Sequence, residues 1–496
     1  MHSDARALPD GTTAQSDLCI IGAGAAGITI AQEYAGTATD VLLLEAGDFE
    51  LESSTQSMYE GESTGLDTYP LHASRLRYFG GTTNHWAGWC GPLDPIDFEN
   101  RPWVPRSGWP LSLDELEPYY QRAHPLCDLG PYNYNPDYWH THSSGFPPLP
   151  FASSKIQTKV FQGSTPTRFG TKYKEEIVQS ENLTLWTHAN VTNIQTPENG
   201  SRVTELSVEC LNGKSHRVRA QFYILACGGL ENPRLLLASD DGNSNGVGNE
   251  HDLVGRYFMG HPNTYSSTLH LEKWPAPAYH ETTDREVWGV FSLSPKQQRK
   301  HQVLNYTAVP EVDEFGTSLP SWAYSLPGLQ GLEETSKYYF GAPPTFKLND
   351  KVEQRPNPDS RVTLSSETDE LGQPRISFHW ALTEQEKRTI RIGTEILGQE
   401  LGRLGLGRLH RREWIAPEHD GWPTHLRDGF HHMGTTRMSA SPEKGVVDPD
   451  CKVHSVQNLY VAGSSVFPTS GTANPTLTLI ALALRLSDHL KEKLRS

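Results

Sequence analysis

The residues best placed to do chemistry open the chain: Asp17-Leu-Cys-Ile-Ile-Gly22-Ala-Gly24-Ala-Ala-Gly27, followed one helix-length later by Val41-Leu-Leu-Leu-Glu45-Ala-Gly47. The pattern reads as a strand, a glycine turn, a helix and a second strand ending in an acid, which is the spacing of a dinucleotide site. Gly22 makes the tight turn, Gly24 lets backbone approach a pyrophosphate, and Gly27 lets helix pack on strand, with the helix N-terminus facing the phosphates. Glu45, 21 residues beyond Gly24, would accept hydrogen bonds from an adenosine ribose and repel a phosphorylated one. A glycine-rich turn of purely structural meaning is the competing reading of the fingerprint alone. The strand, the helix and the acid in their places argue against it.

The tail holds the second group: His431-His432-Met433-Gly434-Thr435-Thr436-Arg437-Met438, Gly445-Val-Val-Asp448, Asn458 to Pro468 with Gly463 inside it, then Ala473-Asn474-Pro475-Thr476 and a closing helix. Asn474-Pro475 has the form of a helix start, asparagine capping and proline at the first helical position.

The elements that must position these groups follow from the pattern. Residues 1 to about 16 read as a flexible polar lead before a first buried strand near Asp17. A second apolar strand, glycine turn and helix run through Gln221–Gly229 and Leu230–Leu237, so alternating strands and helices predict a parallel sheet. Leu382 to Leu401 has helical periodicity, stopped by glycines at 402, 405 and 407, and should buttress a sheet. From about 263 to 435 the chain turns irregular and aromatic, with Trp274, Trp288, Tyr306, Trp322 and Tyr338, and reads as a substrate domain. Acidic residues gather there, at Glu281, Asp284, Glu286, Glu311, Asp313, Glu314, Glu333 and Glu334. They would either line the approach of a cationic ligand or form a solvated surface.

A chain of 496 residues predicts two domains, and 21% charged with 9% aromatic residues fits a globular enzyme. The balance of 43 basic against 59 acidic residues gives −16, which argues against nucleic acid or an anionic membrane as partner and permits a cationic substrate. No apolar run reaches the length of a membrane span. The start, Met1-His-Ser-Asp-Ala-Arg6, has no basic stretch leading into an apolar run, so cytoplasm is the expected compartment. Six scattered cysteines without a CxxC pair read as free thiols. His140-Thr-His142 lacks a carboxylate or cysteine at ligand spacing, so no metal is expected.

With Gly80-Gly81-Thr82-Thr83-Asn84-His85-Trp86 near the front, the combination resembles the glucose-methanol-choline (GMC) family of FAD-dependent alcohol oxidoreductases. Five separated blocks stand in the family's order over nearly the whole chain: the fingerprint, the 80–86 loop, Tyr223 to Leu237, Val254-Gly-Arg256 to His261-Pro262, and the tail. The resemblance implies an α/β fold, a Rossmann-like FAD-binding domain with an inserted α+β substrate domain. Its FAD domain would comprise residues 15–105, 180–262 and 436–496, and its substrate domain 106–179 and 263–435. It further implies FAD contacts at Gly22, Gly24, Ala25, Ala26, Gly27, Glu45, Gly81, Thr82, Asn84, His85, Val191, Ala226, Gly463, Pro475 and Thr476.

Within the family the catalytic pair is a histidine just before the Gly-Thr stretch and an asparagine or histidine before the Pro-Thr of the last helix, here His431 and Asn474. The chemistry agrees. Hydride transfer from an alcohol needs its hydroxyl proton removed, which a neutral imidazole does near pH 7. An amide has no useful pKa, so Asn474 would orient the hydroxyl and stabilise the developing alkoxide through N–H. In an extended segment neighbouring side chains point to opposite faces, so one of His431 and His432 would face the flavin, and the family's spacing from Arg437 and Met438 favours His431. The helix beginning at Pro475 would turn partial positive charge toward the flavin pyrimidine ring. His85 stands where some carbohydrate-oxidising members attach FAD covalently; a loop that only contacts the flavin edge is the alternative.

The expected reaction removes a hydride from a carbohydrate-type hydroxyl carbon, giving an aldehyde or ketone. The substrate would be sugar-like, with a cationic sugar such as an aminoglycoside intermediate of antibiotic biosynthesis, oxidised at a primary hydroxyl, as the refinement, and with oxygen or a redox partner reoxidising the flavin. A hydroxynitrile lyase of the same family and a catalytically silent FAD-binding subunit are the competing readings.

Overall fold

In a computed structural model, which describes residues 1–142, 154–271, 279–282, 285–312 and 345–495, the described chain forms two eight-stranded sheets and one three-stranded sheet. Trp274, Trp322, Tyr338, Asp284, Asp313, Glu314, Glu333 and Glu334 lie outside the described residues.

The first sheet is built on apolar strands buried on both faces. Val41–Leu44 is buried throughout, and Thr13–Ile21 is buried from Leu18 onward. Its order is His2–Asp4, Leu183–Thr187, Val41–Leu44, Thr13–Ile21, Ser215–Leu225, Glu205–Glu209, Asn190–Gln195. The first five run parallel, as the alternating pattern predicts. The last two are antiparallel, because short turns rather than crossover helices join them. Leu459–Val461 pairs in parallel with Tyr223–Leu225. Three strands therefore deliver the turns after Ile21, Leu225 and Val461 to one edge, where the carboxyl ends of parallel strands leave a crevice.

The N-terminal lead departs from expectation. Rather than a loose tail, residues 1–16 contain the edge strand His2–Asp4 and the first part of Thr13–Ile21. Docking provides the reason: Ala5 is buried, His2 Nε2 lies 3.0 Å from Thr187 Oγ1, and His216 Nε2 donates to the Ala5 carbonyl at 2.9 Å. Polar composition did not report these partners, which come from sequence positions about 200 residues away.

The second sheet is antiparallel throughout its main path: Gly407–Arg411, Asn263–Leu271, Thr345–Val352, Tyr306–Val312, Arg285–Leu293, Ile156–Gly163 and Trp89–Cys90. Its back is covered by the expected helix, Glu384–Arg403, whose N-terminus Thr383 and Glu386 close in a capping box. Ile390, Leu397 and Leu401 bury against Phe346 and Leu348. The period of two along Thr345–Val352 sends Phe346, Leu348, Asp350 and Val352 toward that core. Thr345, Lys347, Asn349 and Lys351 take the other face.

The third sheet pairs Arg361–Thr368 with Pro374–Trp380 and adds Gly61–Gly65 in parallel. All six cysteines are free. No helix among the described residues is long and apolar enough to cross a membrane.

Candidate active site

The fingerprint turn takes its shape from glycines with no room for a side chain. Gly22 has φ +102°, and a Cβ there would meet the Ala226 carbonyl oxygen at 2.8 Å. A Cβ on Gly27 would lie 1.9 Å from the Gly22 carbonyl oxygen, so only hydrogen lets helix Ala25–Tyr34 pack onto the strand. Gly24 stands at the N-cap of that helix with no side-chain cap, leaving the first N–H groups to whatever lies ahead.

Ahead lies a cavity of about 550 Å³ that runs from Glu45 and the Gly22–Ala26 turn to His431 and Asn474. Gly24, Gly228 and Gly463 line it, and a Cβ on any of them would point into open space. Such a cradle of bare backbone at three strand ends and one helix N-terminus fits a long phosphate-bearing dinucleotide. Glu45 is 6% exposed; its Oε2 accepts from Ala23 N at 2.9 Å and its Oε1 from Gly47 N at 3.0 Å. The two bonds hold the carboxylate in place and leave lone pairs for ribose hydroxyls.

Gly22, Gly24, Ala25, Ala26, Glu45, Gly81, Thr82, His85, Ala226, Gly463, Pro475 and Thr476 all line this cavity. Gly27 sits behind the wall in its packing role. Asn84 and Val191 are not among the residues that line the cavity. Asn84 Nδ2 turns back to donate to the Phe79 carbonyl at 2.8 Å, closing the 80–86 loop on itself. Val191 pairs with Val208 within the strand hairpin. The His85 ring lies exposed on the wall, its pKa lowered by partial desolvation and by Arg168. Cys227 also lines the cavity, and burial pushes its thiol up to about 12, so it carries no nucleophilic thiolate.

At the far end both His431 and His432 reach the cavity, which differs from the opposite-face expectation. The segment is not a regular strand there: Phe430, just before, has φ +58°. The two rings nonetheless have different surroundings. His432 packs beside the Phe258 ring with centroids 5.8 Å apart, and burial lowers its pKa to about 4. His431 Nδ1 lies 2.8 Å from His261 Nδ1, and His261 Nε2 lies 3.2 Å from the Ser470 carbonyl oxygen.

That chain assigns the protons. A carbonyl only accepts, so His261 Nε2 carries hydrogen and donates to Ser470. Burial, followed by Lys351 and His431, holds His261 well below its ordinary pKa, so the ring is neutral and its Nδ1 is an acceptor. His431 Nδ1 must then be the donor. Burial, Lys351 and His432 hold His431 neutral as well, which leaves a free lone pair on Nε2. Tertiary contact thus leaves one nitrogen of one histidine with a lone pair able to accept a proton. His261 appears in the sequence only as part of a matched block, and its ring role was not legible there.

Asn474 precedes helix Pro475–Arg495. Its Oδ1 accepts a hydrogen bond from Lys351 Nζ at 2.5 Å, so the oxygen a pure cap would use is engaged by a side chain of the second sheet. Lys351 has no motif around it; the period-two polar face of Thr345–Val352 is the one signal that could have drawn notice. Burial and the neighbouring Lys159 bring its pKa down to about 7.

His431, Asn474 and Lys351 share the wall of a second cavity of about 290 Å³ in front of the open face of the second sheet. Polar groups converge on it from three strands: Asn263, Thr307, Glu311 and Asn349. Glu311 accepts from Tyr265 Oη at 2.8 Å and from Asn349 Nδ2 at 2.6 Å. Trp89, stacked on Trp288 with centroids 4.2 Å apart, and Phe161 form an aromatic wall. His140 and His142 stand on a short helix, Pro136–His142, away from both cavities. Among the described residues one group, Asp48, Glu52 and His188, brings ligand atoms within 4.8 Å of one another, and there His188 Nε2 is already bonded to Glu52 at 2.8 Å.

Two sequence-family models, both described as GMC oxidoreductase, match residues 163–263 and 356–483. Paromamine 6'-oxidase of Streptomyces fradiae is 27% identical, over 95% of this chain and 90% of its own. The fructose dehydrogenase large subunit of Gluconobacter japonicus is 24% identical, over 97% and 99%. Among solved structures, formate oxidase of Aspergillus oryzae RIB40, studied for its FAD modification, superposes with TM-score 0.60 at 17% identity over 98% of this chain and 99% of that one.

Proposed function

We propose, since the chain belongs to the GMC oxidoreductase family and is an FAD-dependent enzyme acting on CH–OH groups, that it takes a hydride from a hydroxyl-bearing carbon of a carbohydrate-type substrate and gives an aldehyde or ketone. Bound FAD supplies the two-electron acceptor for the hydride. The residues that line the 550 Å³ cavity, Gly24, Gly228, Gly463 and Glu45 foremost, would hold it.

His431 is the base. Its unprotonated Nε2 takes the hydroxyl proton as the C–H bond breaks, so proton and hydride leave the same H–C–O–H unit and a C=O bond forms. Asn474 donates from Nδ2 to the oxygen that gains negative charge, its own oxygen being held by Lys351. His261 fixes the His431 tautomer. His432, pressed on Phe258, serves structure.

The observation that carries the substrate class is the second cavity. Apolar alcohols need no converging amides and hydroxyls, whereas Asn263, Thr307, Asn349 and Glu311 beside a stacked tryptophan suit a polyhydroxylated ring. Glu311 and the net charge of −16 favour an amino sugar whose ammonium sits at the Glu311 end. The relative named for paromamine oxidation supports the same refinement.

The test is anaerobic bleaching of the flavin by D-glucose, D-fructose, paromamine, choline and an aryl alcohol, followed by readmission of air. Bleaching by the sugars or by paromamine supports the reading. Bleaching by choline or the aryl alcohol alone overturns the substrate class. Fast recovery in air assigns oxygen as acceptor, and slow recovery assigns a redox partner.

A further inference from the structure

Lys351 is an unusual tenant of a reaction centre. It sits on the open face of Thr345–Val352, in the wall shared by His431 and Asn474, and among the described residues no carboxylate pairs with it. The charged and titratable groups around it are Lys159, itself bonded to Asp94 at 2.5 Å, His431, His261, and Glu311 of the same cavity wall, which also accepts from Tyr265 and Asn349. The Phe161 ring lies 5.4 Å from its Nζ. A lysine serving packing alone would bring a counter-ion or snorkel to solvent. Here the ammonium is spent on an amide oxygen.

An amide with its oxygen fixed has its nitrogen fixed too. With Oδ1 of Asn474 held by Lys351, both Nδ2 hydrogens are turned away from the lysine, and the flipped amide would set N–H against N–H. We propose that Lys351 is a positioning residue of the reaction centre, whose Nζ locks the Asn474 amide so that Nδ2, and not Oδ1, meets the substrate oxygen. This rests on the alcohol-oxidising reading above. The bond is charge-assisted while Lys351 is an ammonium and weakens when it loses its proton near pH 7.

The test uses the FAD-loaded enzyme and anaerobic flavin bleaching by D-fructose or paromamine, whichever is faster. Lys351→Met should slow bleaching about 10- to 100-fold, the effect of one charge-assisted hydrogen bond, with little change in the concentration of half-saturation. Lys351→Arg keeps donor and charge, so it should stay within about fivefold of the parent. The parent rate should fall above about pH 7, and the arginine variant should lack that limb. The double variant Lys351→Met with Asn474→Ala should be no slower than Asn474→Ala alone, because the lysine acts through the amide. Multiplying effects, or an arginine variant as slow as the methionine variant at full FAD content, would overturn the proposal.

A second readout needs no turnover. In holoenzyme labelled with carbon-13 at lysine Cε, the signal that Lys351→Arg deletes should titrate near pH 7 and shift in Asn474→Ala. If it does not respond to Asn474→Ala, the lock is absent whatever the substrate. If it responds while no sugar bleaches the flavin, the lock stands and the substrate reading falls.

Discussion

Removing the acceptor for His431 Nδ1–H is the most direct challenge to the proposed base. His261→Leu keeps bulk at a fully buried position and deletes both ring nitrogens. His431 Nδ1–H, now 2.8 Å from nothing polar where His261 Nδ1 stood, becomes an unsatisfied buried donor. That costs about 1–3 kcal/mol, which favours the alternative tautomer with hydrogen on Nε2. At 1.36 kcal/mol per factor of ten, the population with a free Nε2 lone pair falls about 5- to 150-fold, and the rate of flavin bleaching should fall with it. His261→Asn places an amide oxygen close to the lost Nδ1 and should recover most of the rate. The assay is anaerobic stopped-flow bleaching at saturating sugar, with FAD content matched among variants. If His261→Leu bleaches at the parent rate, or His261→Asn is as slow as His261→Leu, the proton assignment along Ser470, His261 and His431 is wrong.

Other consequences are as direct. Gly27→Ala, whose Cβ would sit 1.9 Å from the Gly22 carbonyl oxygen, should force the fingerprint turn open, and the purified protein should carry little FAD by its visible absorbance. Glu45→Gln should weaken FAD retention about 10- to 100-fold in a dilution or dialysis assay, as the anchored charged acceptor is lost. Asn474→Asp replaces the Nδ2 donor with a second acceptor and should slow bleaching more than Asn474→Ala, since a carboxylate repels the developing alkoxide. Lys351 is held near pH 7 when folded against its ordinary value of 10.5, so the unfolded chain binds the extra proton between those values and stability rises with pH there. Full linkage over three pH units is about 4 kcal/mol, and the partial exposure of Lys351 reduces it to roughly 2 kcal/mol. Urea unfolding of the parent should therefore gain on Lys351→Met between pH 7 and pH 10, and parallel curves would refute the depressed lysine.

The local chemistry of this protein was legible because it is written in local spacing. A glycine that must have no Cβ, an acid 21 residues beyond Gly24, a proline at a helix start and the period of Leu382–Leu401 all act within one element or between neighbours in sequence. The glycine turn and the buttress helix followed from them, and the pair His431 and Asn474 from the family resemblance. Where expectation and structure part, the missing information is a contact between distant segments. Residues 1–16 looked loose because their partners are Thr187 and His216. The side-chain nitrogen of Asn84 is bonded to the loop's own Phe79 carbonyl, which its sequence context did not show. His261 stood in the sequence as the end of a family block with no role attached, and Lys351 as a lysine on an alternating strand. Packing the antiparallel sheet against the carboxyl edge of the parallel one sets the first against His431 and the second against Asn474. Which residue types are present, and their spacing along the chain, belongs to the sequence; which nitrogen holds a proton and which way an amide faces depends on hydrogen bonds between elements 123 to 209 residues apart, and only the tertiary structure decides those.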